Sequence, residues 1–136
     1  MRIRTLLATT AAAVMMTAGA HAQTVGVTDT SIKIGNTNPY SGPASVYSVI
    51  GKTISAYFKA VNAAGGVTSA DGKTRTVEFI SLDDGYSPPR TVEQVRKLVE
   101  QEKVAFLFQT LGTPTNSAIH RYVNCLLYTS PSPRDA

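Results

Sequence analysis

Three consecutive runs decide the fold: Val77-Glu-Phe-Ile-Ser-Leu-Asp-Asp84, Thr91-Val-Glu-Gln-Val-Arg-Lys-Leu-Val99 and Val104-Ala-Phe-Leu-Phe108. In the first, Val77, Phe79, Ile80 and Leu82 make a nearly continuous apolar strand that ends at Asp83-Asp84. In the second, Val92, Val95, Leu98 and Val99 recur at the three- and four-residue steps of one buried helical face, with Arg96, Lys97 and Glu100 toward water. Thr91 is placed to cap this helix, and Gln94 completes a capping box. The third run is apolar on both faces, as a buried parallel strand is. A strand, a helix and a strand in that order form a crossover unit with its two strands parallel.

The pattern extends outward in both directions. Ser31-Ile-Lys-Ile-Gly-Asn36 alternates apolar and polar and reads as a first strand, followed by a loop with two prolines, Asn38-Pro-Tyr-Ser-Gly-Pro43. From about Ser45, the residues Tyr47, Ile50, Ile54, Tyr57, Phe58 and Val61 take a helical period, and Gly65-Gly66 ends it. Asp71-Gly72 is a strong hairpin signal, flanked by Val67-Thr68 and by Lys73 to Thr76. Beyond the third strand, Gln109 to Pro114 is a loop and a third helix runs from Thr115 to about Val123. The whole predicts an α/β fold: an open, mostly parallel sheet with helices on both faces.

The ends read differently. Residues 1–22 form a secretory signal, with Arg2 and Arg4 before an apolar stretch and Ala20-His-Ala22 at the cleavage point, so Gln23 is expected as the mature N-terminus. The apolar stretch is too short to span about 30 Å of hydrocarbon. Residues 125–136, from Cys125-Leu-Leu-Tyr-Thr-Ser130 onward, break the helical period and resemble one reading frame of a transposase-type sequencing adapter; a non-native tail is expected there. The intervening residues 23–124 hold no cysteine, which excludes a disulfide or a CxxC zinc or redox motif within them.

Composition narrows the function. Of 136 residues, 43% are apolar and 16% charged, which excludes a disordered tail. Residues 23–124 carry ten Lys/Arg against eight Asp/Glu, and a net +2 gives no basic stripe for nucleic acid. GxSxG, GxGxxG and GxxxxGK[ST] are all missing, so no nucleophile elbow or nucleotide loop of the usual form is present. His120 is the only histidine after the leader and falls on a helix surface; one histidine without cysteine makes no ordinary transition-metal site. Asp83 and Asp84 are adjacent on a strand, point to opposite faces, and are assigned to bracing the loop.

Ligands of open α/β sheets collect at the carboxyl ends of the strands. Three loops leave those ends: residues 36–44, 83–89 and 109–114. In the third, Pro114 suits the first position of a helix. The backbone N–H groups of Thr113, Thr115 and Asn116, with two threonine hydroxyls, would then converge beside a positive helix end fit for a carboxylate. As isolated residues Thr113 and Thr115 also read as plain helix caps, and Ser41 as a turn former.

The segments Ile32-Lys-Ile-Gly35, Tyr40-Ser-Gly-Pro43, Ala63-Ala-Gly-Gly-Val67, Asp83-Asp84 with Pro88, Val92 to Val99, and Phe108-Gln-Thr-Leu-Gly-Thr-Pro-Thr-Asn116 together carry a resemblance. Residues 28–124 resemble the N-terminal part of a periplasmic solute-binding protein of the branched-chain amino acid (leucine-binding, type I) class of ATP-binding-cassette (ABC) importers. The resemblance implies an incomplete lobe of a two-lobe protein that closes on its solute. It implies no enzymatic activity and no cofactor, a small-molecule solute and the importer's membrane permease as partners, a periplasmic location, and a monomer at full length. By the same resemblance, Leu111, Gly112, Thr113 and Thr115 hold the acidic end of the solute, and Ser41 and Tyr47 reach it from the side. Gly112-Thr-Pro stands where a serine run is usual, so the solute class widens to branched-chain amino acids, amides, urea or aromatic acids. A sensory ligand-binding domain of a membrane receptor is the alternative that the same fold serves, and an exported α/β enzyme a further one.

Overall fold

The computed structural model describes residues 24–127. Within them lie four strands and three helices, in the order β1 (Ser31–Asn38), α1 (Ser48–Ala63), β2 (Val67–Thr68), β3 (Thr74–Asp83), α2 (Pro88–Arg96), β4 (Phe106–Leu107) and α3 (Thr113–Leu127). The sheet order is β2-β3-β1-β4. β1 runs parallel to β3 over its whole length, from Ser31 opposite Thr76 to Asn38 opposite Asp83, and parallel to β4. β2 pairs antiparallel with the start of β3 as the hairpin that Asp71-Gly72 predicts. Past the hairpin, the Asn62 side chain of α1 takes over the β3 edge, accepting from the Val77 N–H and donating to its carbonyl, each at 2.8 Å.

Side chains alternate across a strand, and that alternation sorts the helices. A Cβ on Gly35 would meet Leu98, Val104 and Leu107, whereas a Cβ on Gly51 of α1 would meet Asn38 and Tyr40. Residues 35 and 38 point to opposite faces, so α1 covers one face and the α2 side covers the other. Behind α2, Val95 and Leu98 are fully buried, with Val104 and Ile119 nearly so. On the α1 side, Phe58 stacks obliquely on Phe79 and edge-on to Phe108, with centroids 5.3 and 5.7 Å apart.

Several expectations need correction. β1 extends to Asn38 and is buried on both faces from Ile34 onward, because it lies centrally between β3 and β4. α1 is preceded by a 3₁₀ turn over Ser45–Tyr47, and of its predicted apolar stripe Tyr47 and Tyr57 stand exposed while Ile50, Ile54, Phe58 and Val61 are half-buried. The second helix begins at Pro88, not Thr91. Proline at the first position suits a helix start, and the Thr91 hydroxyl, buried one turn in, donates to Asp84 Oδ2 (3.0 Å) and the Ser87 carbonyl (2.9 Å) instead of capping. α2 continues into a π-helical turn over Lys97–Gln101. The third strand shrinks to Phe106–Leu107 at the sheet edge, where Phe106 is half exposed; it is not buried on both faces. α3 starts at Thr113, putting Pro114 second, and runs through Asn124 to Leu127. Residues 1–23, which include the expected signal segment, and residues 128–136 lie outside the described residues. No described helix is long and apolar enough to cross a membrane.

Candidate functional site

The parallel register brings the carboxyl ends of β1, β3 and β4 to one edge of the molecule, and their loops meet there. Buried polar residues at the end of β1 tie these loops together. Asn36 donates to the carbonyls of Phe108 (2.8 Å) and Gln109 (2.7 Å) and accepts from the Ser81 hydroxyl (2.8 Å). Since Ser81 gives its proton to Asn36, the Tyr40 hydroxyl donates to Ser81 (2.6 Å). The Thr37 carbonyl accepts from the Leu111 N–H (3.4 Å), and Asn38 donates to the Tyr47 carbonyl (3.4 Å).

Asp83 holds the first loop. Its carboxylate accepts from the N–H groups of Tyr40 (2.8 Å), Ser41 (3.1 Å) and Gly85 (3.0 Å), from the Ser41 hydroxyl, and from Arg90 (3.2 Å). Partial burial by itself pushes the carboxyl up, but the Ser41 hydroxyl and the N–H groups of Gly85, Ser41 and Tyr40 outweigh it and hold the group down at about 2. Its neighbour Asp84 is fully buried and accepts from Thr91 and from the Tyr86 N–H (2.9 Å). Both carboxylates therefore brace loops, on opposite faces. Ser41 thus reaches the site edge with its hydroxyl already committed to Asp83, while the Tyr47 ring stands half exposed at the entrance to α1.

The stretch Leu111 to Thr115 forms the N-terminus of α3. Gly112, at φ +100°, accepts the first intrahelical bond from the Asn116 N–H (3.0 Å), so that N–H is spent. Thr115 is fully buried and its hydroxyl donates back to the Leu111 and Gly112 carbonyls, 2.7 Å to the latter. What faces outward is exposed Thr113, with its hydroxyl and a first-turn N–H that has no acceptor one turn earlier in the helix; the N–H of Thr115 is buried with the rest of that residue. The macrodipole adds partial positive charge there. Asn116 is locked by the Thr110 carbonyl (3.0 Å) and hydroxyl.

Two residues near this loop stand out beyond the sequence reading. Gly112, Thr113, Asn116, Ser117 and His120 line one open recess along α3, so His120, exposed as predicted, shares a face with Thr113; the spacing 113-116-117-120 is that of one helical face. Tyr86 lies against Gly112, a contact between separate loops for which the sequence carries no local signal. Among the described residues no group of three His, Cys, Asp or Glu side chains could hold a metal ion.

A family model described as periplasmic binding protein matches residues 31–133. The chain belongs to the periplasmic binding protein family. Its fold is part of a type I lobe, shared with a possible leucine/isoleucine/valine-binding protein from Rhodopirellula baltica (28% identity, TM-score 0.62, covering 71% of this chain and 25% of that one). A fatty acid ABC transporter substrate-binding protein from Thermomonospora curvata is 29% identical, with TM-score 0.59 and coverage of 76% and 25%. A solute-binding protein of an R. palustris ABC transporter, in complex with benzoate, is 28% identical, with TM-score 0.53 and coverage of 68% and 24%. The chain thus spans about a quarter of the length of these structures. No curated protein sequence matches it. Periplasmic binding proteins are typically non-enzymatic.

Proposed function

We propose that this periplasmic binding protein chain supplies one wall of a solute cleft in an exported receptor. The receptor captures a small solute bearing a carboxylate or amide and delivers it to the membrane permease of an ABC importer. The observation that carries this reading is the start of α3, where exposed Thr113 presents its hydroxyl and a first-turn N–H without an intrahelical acceptor at a positive helix end. The structures similar to this chain, named for branched-chain amino acids, fatty acids and benzoate, support an acidic group as the common feature. In this reading Leu111, Gly112, Thr113 and Thr115 form the anchor, with buried Thr115 shaping the turn through its hydroxyl, and Ser41 and Tyr47 border it.

The test is calorimetric titration of the full-length protein with L-isoleucine, decanoate and benzoate. A hydrogen bond to a charged group contributes about 1.5–3 kcal/mol. Thr113→Val is therefore expected to weaken the carboxylate that binds by roughly ten- to hundredfold. A normally folded variant that binds like the parent would place the anchor elsewhere.

A further inference from the structure

We propose that Tyr86 is a positioning residue for the anchor: its ring holds Gly112, and through Gly112 the first turn of α3, in the conformation that presents Thr113 to the solute. The proposal rests on the reading that Leu111 to Thr115 holds the solute.

The backbone of Tyr86 is in the left-handed region at φ +62°, which a bulky residue rarely adopts. Such a conformation persists only where the surroundings over-determine it. Here they do. The Tyr86 N–H donates to Asp84 Oδ1 (2.9 Å), the Ser87 N–H donates to the Asp84 carbonyl (3.0 Å), and fully buried Asp84 is itself gripped by Thr91 (3.0 Å). The strained turn aims the side chain across to the neighbouring helix start. A Cβ placed on Gly112 would lie 2.5 Å from Tyr86 Cε2 and 3.0 Å from Cζ, so the ring occupies the space a side chain would need. Gly112 in turn accepts the Asn116 N–H and the Thr115 hydroxyl, so displacing it displaces the whole first turn. The Tyr86 hydroxyl has no partner among the described residues, which leaves the ring as the part that acts.

The experiment uses the full-length protein and whichever of L-isoleucine, decanoate and benzoate it binds. Tyr86→Ala is expected to weaken binding about tenfold, and Tyr86→Phe, which keeps the ring, to stay within about twofold. Tyr86→Gly relaxes the backbone while removing the ring; it is expected to fold and to lose affinity like Tyr86→Ala, so a folding defect in the alanine variant leaves the question decidable. Amide exchange at Asn116, whose N–H is bonded to the Gly112 carbonyl, should accelerate in the glycine variant while β1 keeps its protection. Gly112→Ala collides with the ring, so combining it with Tyr86→Ala should cost no more affinity than Gly112→Ala alone; full additivity would remove the coupling. If Thr113→Val loses affinity and the Tyr86 variants do not, this inference falls and the anchor stands. If neither substitution matters, or none of the three carboxylates binds, the anchor falls and Tyr86 with it. Equal losses in Tyr86→Phe and Tyr86→Ala would overturn the positioning role in favour of a direct solute contact through the hydroxyl.

Discussion

Replacing Asp83 with asparagine tests how the first loop is held. Five donors converge on this carboxylate, three of them backbone N–H groups. Its carboxyl is lowered from the ordinary 3.8 to about 2. At about 1.4 kcal/mol per pH unit, that difference stabilises the folded chain by roughly 2 kcal/mol. With the side chain 30% exposed, solvent screening reduces the contribution to about 1–2 kcal/mol. The folded-state value lies below the unfolded one, so this stability is fully present above about pH 5 and is lost as pH falls toward 2; about half is gone at pH 3. The asparagine side chain carries no titrating group and would oppose its own N–H₂ to at least one of the donors. Urea unfolding of full-length parent and Asp83→Asn should therefore show a gap of about 1–2 kcal/mol at pH 6 that narrows by about half at pH 3. Comparing the pair cancels every other carboxylate in the protein. A gap that is the same at both pH values would show that Asp83 does not stabilise the loop through its charge.

Asn36→Leu keeps the volume at the end of β1 but leaves the carbonyls of Phe108 and Gln109 and the Ser81 hydroxyl without their buried partner, so a loss of about 2–4 kcal/mol is expected in urea unfolding; an unchanged midpoint would contradict it. Leu98→Ala opens a cavity behind Gly35 and should cost about 2–5 kcal/mol by the same measurement, with a loss below about 1 kcal/mol counting against the packing described. Mass spectrometry of the exported protein should find its mature N-terminus at Gln23; an intact Met1 in the exported fraction would refute the cleavage site.

The layout of the sheet was readable because its signals are local. The apolar spacing of Val92, Val95 and Leu98 and the Asp71-Gly72 turn each act within a few residues, and each appears where the pattern puts it. Helix starts were less legible because several side chains compete for the same role. Thr91 carries a capping residue's hydroxyl, yet Pro88 begins the helix earlier and the hydroxyl turns inward to Asp84, a partner seven residues away. Val104 to Phe108 has the composition of a central strand, but burial is set by what packs alongside. With β1 as its only partner among the described strands, β4 pairs over two residues and leaves Phe106 half exposed.

The candidate site was legible as a place and not as a set of contacts, for the same physical reason. Which loops gather at the carboxyl edge follows from the alternation of strands and helices. Which groups in them stay open depends on bonds between residues far apart in sequence. Ser41 looks like a free hydroxyl until Asp83, 42 residues on, takes it. Thr115 looks like a ligand donor until the carbonyls of its own turn claim it, which leaves Thr113 as the one threonine of the pair facing outward. The end of β1 shows the logic most plainly. Asn36, Thr37 and Asn38 are polar yet buried in a central strand, which is costly unless their hydrogen bonds are made. Asn36 spends its amide on the loop after β4 and accepts from a serine of β3, the Thr37 backbone carbonyl meets Leu111, and the Asn38 amide N–H meets the start of α1, while the buried Thr37 hydroxyl and Asn38 Oδ1 stay unpartnered. A polar strand end of this kind lets one buried segment set the relative positions of three otherwise independent loops, as the proposed cleft wall requires.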